Sequence, residues 1–179
     1  MSSALAKDYE NPMKVPRLVK CVVNIGVGQG GEKLRKAFDV LEMLTGQTPV
    51  ETIATTTNAE FGIREGQPVG CKVTLRGQKA FDFLEKAFWV KENRLSEKSF
   101  DDHGNVNFGI HDYTDFKEAS YDPNIGVFGM DISIVIGRKG IRIANRKKNK
   151  KSIPPELKMT KEESIDFMEN EFDLEVYES

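Results

Sequence analysis

Two short segments constrain this chain more than any other feature, because each alternates residue by residue between apolar and polar positions. In Leu18 to Ile25, the residues Val19, Cys21, Val23 and Ile25 fall on one side, and Leu18, Lys20, Val22 and Asn24 on the other. In Val69 to Arg76, the residues Val69, Cys71, Val73 and Leu75 oppose Gly70, Lys72, Thr74 and Arg76. A period of two belongs to an extended strand, whose successive side chains point to opposite faces. A strand with one apolar and one polar face fits an antiparallel sheet covered on a single side, since parallel sheets are buried on both. The stretch Met130 to Ile136 repeats the pattern, with Met130, Ile132, Ile134 and Ile136 alternating with Asp131, Ser133 and Val135.

Elsewhere the apolar period lengthens to that of a helix. Glu32 to Thr45 carries Leu34, Ala37, Phe38, Leu41 and Leu44 on one stripe, and Gly46 is a natural stop. Gln78 to Asn93 carries Phe81, Leu84, Ala87 and Phe88. Shorter strands are predicted at Val50 to Ala54 and Val106 to Tyr113, with a loop or hairpin from Thr55 to Pro68. Thr160-Lys-Glu-Glu163 has the spacing of a capping box and opens a helix bearing Ile165, Met168 and Phe172. The predicted fold class is α+β: an antiparallel sheet with helices packed on one face and an open polar face. Residues 1–16 read as a flexible N-terminal arm and 17–137 as the core domain. Residues 138–179 read as a basic tract and a C-terminal helix packed on that same domain.

The formal net charge of the 179 residues is only −2, with a pI near 5.8, which by itself does not suggest a polyanionic partner. The sum conceals a segregation. From Arg138 to Lys151 stand Arg138, Lys139, Arg142, Arg146, Lys147, Lys148, Lys150 and Lys151, with no acid among them. After Pro155, nine carboxylates face only Lys158 and Lys161. Eight cations in fourteen residues would neutralise several phosphates and release their counterions, making affinity steeply salt-dependent. No apolar run reaches the length of a membrane span, and Met1 to Asn11 lacks the apolar core of a signal peptide; a soluble, cytoplasmic protein is expected. Cys21 and Cys71 lie inside predicted strands and read as reduced core thiols; their spacing supports no zinc site, and no metal or cofactor is implied.

The polar face of the two defining strands presents Lys20, Asn24, Lys72, Thr74 and Arg76. Cations, amides and hydroxyls on an open sheet can reach phosphates and 2′-hydroxyls, so this face is a candidate RNA platform. The main alternative is a nucleotide-binding enzyme domain. Gly26-Val-Gly28-Gln-Gly30-Gly31 follows a strand, precedes a helix and has Glu51 about twenty residues on, as in a dinucleotide-binding turn. A doubly wound sheet, however, needs strands buried on both faces, which Lys20, Asn24, Lys72 and Arg76 contradict. The same turn could instead offer bare amides to an RNA phosphate. Asp101, Asp102, Asp112 and Asp115 near His103 and His111 fit no catalytic or metal spacing and read as loop chemistry.

An ordered series of segments carries a family resemblance. It comprises Asn11-Pro-Met13, Val15-Pro-Arg17, Val23-Asn-Ile-Gly-Val-Gly28, Leu44-Thr-Gly-Gln-Thr-Pro-Val50, Phe61-Gly-Ile-Arg-Glu-Gly66 and Pro68-Val-Gly-Cys-Lys-Val-Thr-Leu-Arg-Gly77. Ser99-Phe-Asp-Asp-His-Gly-Asn105 and Phe128-Gly-Met-Asp-Ile132 continue it. From about Asn11 to Phe172 the chain resembles the universal large-subunit ribosomal protein number five. Glu92-Asn-Arg-Leu95, the basic tract and the Thr160 to Glu163 helix start resemble its archaeal and eukaryotic branch, with archaeal preferred for a short chain lacking addressing signals. The resemblance implies no enzyme but a ribosomal α+β protein of the central protuberance. Its implied partners are 5S rRNA, 23S rRNA, P-site tRNA, a small-subunit head protein at an intersubunit bridge, and other central-protuberance proteins. It implies a 5S rRNA face at Lys20, Asn24, Gly26, Gly28, Lys72, Thr74 and Arg76, and rRNA contact by the basic tract. It also implies a P-site tRNA loop that includes Thr55, Thr56, Thr57, Asn58, Phe61 and Arg64. That loop departs from the family in having Arg64 as its first cation.

Overall fold

The alternating segment Arg17–Gly26 forms strand β1, which lies at the middle of a five-stranded antiparallel sheet in the computed structural model. The structure describes residues 11–117, 119 and 122–178, so residues 1–10 of the predicted arm lie outside it. In chain order follow α1 (Glu32–Thr45), β2 (Val50–Ile53), β3 (Pro68–Leu75), α2 (Gln78–Val90), β4 (Arg94–Ser96) and β5 (Asn105–Ile110). Then come β6 (Met130–Gly137), a four-residue helix α3 (Arg142–Asn145), α4 (Lys161–Phe172) and β7 (Glu175–Tyr177). The sheet order is β2-β3-β1-β6-β5, and each neighbouring pair is antiparallel. The α+β class and the antiparallel sheet expected from the alternation are both present.

One face of that sheet is the core. Cys21, Val23, Ile25, Cys71, Val73, Leu75, Ile132, Ile134 and Ile136 are buried there, in one cluster with Leu34 and Leu41 of α1 and Leu84 and Phe88 of α2. Phe167 and Met168 of α4 join the same cluster. Phe88 packs 5.5 Å from Phe108 and edge-on, 5.1 Å, from Phe172, and Phe81 stacks on Phe172 at 5.6 Å. Such pairs add specific geometry to apolar burial.

Local details differ from expectation for identifiable reasons. Register shifts between Leu18 and Lys20, a β-bulge, so Leu18 pairs with Ile136 and packs on the core. An extra residue re-aims the side chains beyond it. Val19, expected on the apolar side, instead reaches the open side over Gly137. Helix α2 stops at Val90 rather than Asn93 because Glu92 and Asn93 both adopt φ 56°, outside helical geometry. Helix α1 ends as expected, with Gly46 left-handed at φ 59° and its amide donating to the Glu42 carbonyl. Phe38 and Phe81 are only half-buried; Val40 in α1, and Ala80 and Phe83 in α2, complete the buried stripes. Residue Tyr113, expected in a strand, sits in a single 3-10 turn capped by Asp112, whose carboxylate accepts from the Thr114 amide at 3.0 Å. The parallel pair β4–β7 was not foreseen; Arg94 and Glu175 close it with a 2.8 Å ion pair.

Candidate nucleic-acid interface

Sheet register assembles the open wall. Antiparallel partners sit directly opposite, with side chains on the same face. Asn24 lies between Lys72 on β3 and Asp131 on β6, while Val22 lies between Thr74 and Ser133. One step along, Lys20 faces Val135, which in turn faces Asn105. Lys72 and Arg76 are exposed; Lys20, Asn24 and Thr74 are half-buried, flanked by neighbours on the wall. Arg76 reaches over to the neighbouring β1 and donates from Nη1 to the Val19 carbonyl at 3.4 Å. The five polar residues read from alternation therefore share one surface. Strand β5 extends it with Asn105 and Asn107, which sequence reasoning missed because nothing local reveals that β5 pairs with β6.

In the glycine turn two of the amides are already occupied. The amides of Val27 and Gly28 both donate to the Val69 carbonyl, at 3.0 and 2.8 Å, so neither is bare. No strand of this sheet has a parallel neighbour, so the crossover of a dinucleotide-binding domain is missing among the described residues. A Cβ at Gly26 or Gly28 would meet nothing within 4 Å, leaving open space above the turn.

Residues 55–67 form a small tied hairpin. Asn58 and Ile63 exchange two backbone hydrogen bonds of 2.8 and 3.0 Å. The Asn58 carboxamide accepts from the Glu60 amide at 3.0 Å, and the Thr57 hydroxyl accepts from the Glu65 amide at 3.1 Å. At the tip Phe61 is 74% exposed, an unusual position for a large ring. Thr55, Thr56 and Arg64 are exposed beside it.

The basic tract divides in two. Arg138, just after β6, is turned inward: its Nη2 donates to Glu163, and its side chain is only 12% exposed. Among the described residues its buried Nε finds no hydrogen-bond partner. Glu163 serves twice, since its other oxygen accepts from the Thr160 amide at 3.2 Å in the predicted capping box. Lys139, Arg142, Arg146, Lys147, Lys148, Lys150 and Lys151 are exposed, and Arg146 holds the Asn149 carbonyl with two donors at 2.7 and 2.9 Å. The tract folds back over the far end of the open wall. A Cβ at Gly137 would lie 3.0 Å from Ile141 Cδ1 and 3.3 Å from Val19 Cγ2, so a larger residue there would have to push these side chains aside. Beneath the tract is a half-open cleft of about 960 Å³.

The remaining polar chemistry is structural. Asp101 organises the turn into β5. Burial raises its carboxyl, but hydrogen bonds from the Asn105 side chain and amide, at 2.6 and 2.7 Å, and from the His103 amide outweigh burial and hold it below its ordinary value. Burial pushes the Cys21 thiol up to about 12 and the Cys71 thiol up to about 11. Both cysteines are free, as read from the sequence. Among the described residues no group of His, Cys, Asp and Glu is placed to hold a metal ion.

Comparison with known proteins agrees with this architecture. Residues 11–64 match the family described as ribosomal protein L5, and residues 68–172 match the ribosomal L5P family C-terminus. The large ribosomal subunit protein uL5 of Thermoplasma volcanium is 50% identical over 167 residues, covering 93% of this chain and 98% of the relative. That of Methanococcoides burtonii is 47% identical over 166 residues, covering 93% and 98%. That of Sulfurisphaera tokodaii is 47% identical over 169 residues, covering 94% and 96%. With both halves matched and near-full-length archaeal relatives at about half identity, this chain belongs to the ribosomal protein L5 family, in its archaeal form uL5.

Proposed function

We propose that this chain is a scaffold of the large ribosomal subunit, in the cytoplasm, that binds 5S rRNA through the open wall and helps attach it to the central protuberance. Its family is one of structural proteins, not enzymes. The observation that carries the 5S reading is the wall itself: Asn24 faces Lys72 and Thr74 faces Val22 in register, with Lys20 and Arg76 at the end of the same open face, where Lys72 and Arg76 are exposed. These groups suit a helical RNA read by phosphate and 2′-hydroxyl contacts rather than by base edges. Gly26 and Gly28 contribute clearance for a backbone to approach, while the Gly28 amide is already taken by the Val69 carbonyl. Asp131 beside Asn24 leaves the β3 side of the wall as the more favourable track for phosphates.

The exposed cations from Lys139 to Lys151 contact 23S rRNA as an electrostatic arm, while Arg138 anchors the arm to α4. The hairpin bearing Thr55, Thr56, Thr57, Asn58, Phe61 and Arg64 meets P-site tRNA through hydroxyls, one ring and one cation. A small-subunit head protein at an intersubunit bridge and other central-protuberance proteins complete the partners. Purified protein mixed with 5S rRNA tests the main reading. Replacing Asn24, Lys72 and Arg76 together by alanine should weaken binding about tenfold or more, given about 1–3 kcal/mol for hydrogen bonds to charged groups. Unchanged affinity would remove the wall from the interface.

A further inference from the structure

The cavity beneath the basic tract has a composition that the electrostatic arm does not require. Five lysines line it, Lys14, Lys139, Lys150, Lys151 and Lys158, beside Arg138, whose charge is already paired with Glu163. No Asp or Glu is among its described lining residues, in a chain whose net charge is −2. The interior is nevertheless mainly apolar, built from Val135, Ile141, Ile143, Ile153 and Leu157. Ile143 and Leu157 are 41% and 49% exposed, an arrangement that leaves apolar surface wet in the isolated protein. Asn105, Asn145 and Ser152 add amide and hydroxyl groups. A volume near 960 Å³ falls within the range of ligand pockets, roughly 300–1,000 Å³. The slot is also continuous with the open wall, because Val135 and Asn105 belong to both and Lys20 lies opposite Val135.

A polyanion alone would need only the lysines. An apolar slot beneath a rim of cations fits a polyanion that carries flat apolar faces. We infer that this slot receives one or more unstacked nucleobases of an RNA strand whose phosphates lie on the rim lysines. The inference rests on the reading of the tract as an RNA contact and adds to it a base-binding function. Single-stranded nucleic acid is held elsewhere by a cationic track for the backbone and aromatic faces on which the bases stack; here aliphatic side chains take the place of those faces. It also gives a role to the close pass at Gly137, which brings Ile141 against the sheet to form one side of the slot.

The test compares a short single-stranded oligoadenylate with an abasic strand of the same length and charge, each titrated into the full chain over a range of salt. The native protein should prefer the oligoadenylate by about tenfold, and a 2-aminopurine in the strand should change its fluorescence on binding. Replacing Ile143 and Leu157 together by serine keeps every cation; it should bring the two affinities within about twofold without altering the salt slope. Ala144→Phe, which fills the slot, should do the same and covers the case in which the first variant is unstable. Equal affinities in the native protein, or a preference untouched by both variants, would overturn the inference. Tighter capture of an acidic, leucine-containing peptide than of the oligoadenylate would assign the slot to a protein and overturn it too. The underlying reading is read separately: Lys150→Gln with Lys151→Gln must flatten the salt slope, and a slope left intact would refute the tract contact itself.

Discussion

Glu163 is the residue through which the acidic C-terminal helix holds the basic tract, and its contribution can be separated into parts. One carboxylate oxygen pairs with Arg138; the other accepts from the Thr160 amide, while the Thr160 hydroxyl accepts from the Glu163 amide at 3.3 Å. The side chains of Arg138 and Glu163 are 12% and 27% exposed. An exposed ion pair is worth about 0.2–1 kcal/mol, and breaking a fully buried one costs about 3–5 kcal/mol. The intermediate burial places this pair at about 1–2 kcal/mol. Glu163→Gln preserves the capping box, which accepts glutamine, and should cost that amount. Glu163→Ala loses the cap as well, adding about 1 kcal/mol. For a chain of this size each kcal/mol lowers Tm by about 2–4 °C, so the glutamine variant should melt about 2–8 °C lower and the alanine variant lower still. Urea unfolding of the native protein, Arg138→Met, Glu163→Gln and the double variant would give the coupling energy directly. A coupling within about 0.5 kcal/mol of zero would refute the reasoning, because that is the scatter expected of independent sites. So would a coupling abolished by high salt, since a half-buried pair is screened less than a surface pair.

Three further outcomes follow from the same geometry. Both thiols are neutral when folded and raised by burial, so their stabilisation is complete below the ordinary thiol value near 9 and is lost as pH climbs toward 11–12. Stability should therefore fall with pH in that window, and a thiol reagent should detect both cysteines only after denaturation; rapid labelling of the native protein would contradict their burial. Gly70→Ala would place a Cβ 2.6 Å from the Ile25 carbonyl oxygen and 2.9 Å from Thr52 Oγ1, and should cost about 1–3 kcal/mol in urea unfolding. A neutral result would mean that β1 and β3 are looser than they look. Replacing Lys147, Lys148, Lys150 and Lys151 by glutamine should lower the salt slope of rRNA binding by up to about 3, at roughly 0.7–0.9 per phosphate contact; an unaltered slope would take these lysines off the phosphates.

What the sequence alone determined is local. Alternation at a period of two placed β1, β3 and β6 to within a residue or two and predicted which side of the sheet stays polar, because a strand exposes its faces in strict succession. The start of α4 and the end of α1 were equally legible, since a capping box and a left-handed glycine act within one helical turn. Other features depended on partners far along the chain. Nothing near Leu18 announces the bulge that turns Val19 outward; it arises from pairing with β6. Strands β4 and β7 are three residues each and exist only through one another. Arg138 read as one more cation of its tract until a carboxylate 25 residues away turned it inward. The apolar slot likewise has walls drawn from Met13 to Met159, and no periodicity within any one segment encodes a cleft lined by several. Short-range hydrogen bonding and side-chain alternation are properties of neighbours in the chain, whereas register, ion pairing and cavities belong to neighbours in space.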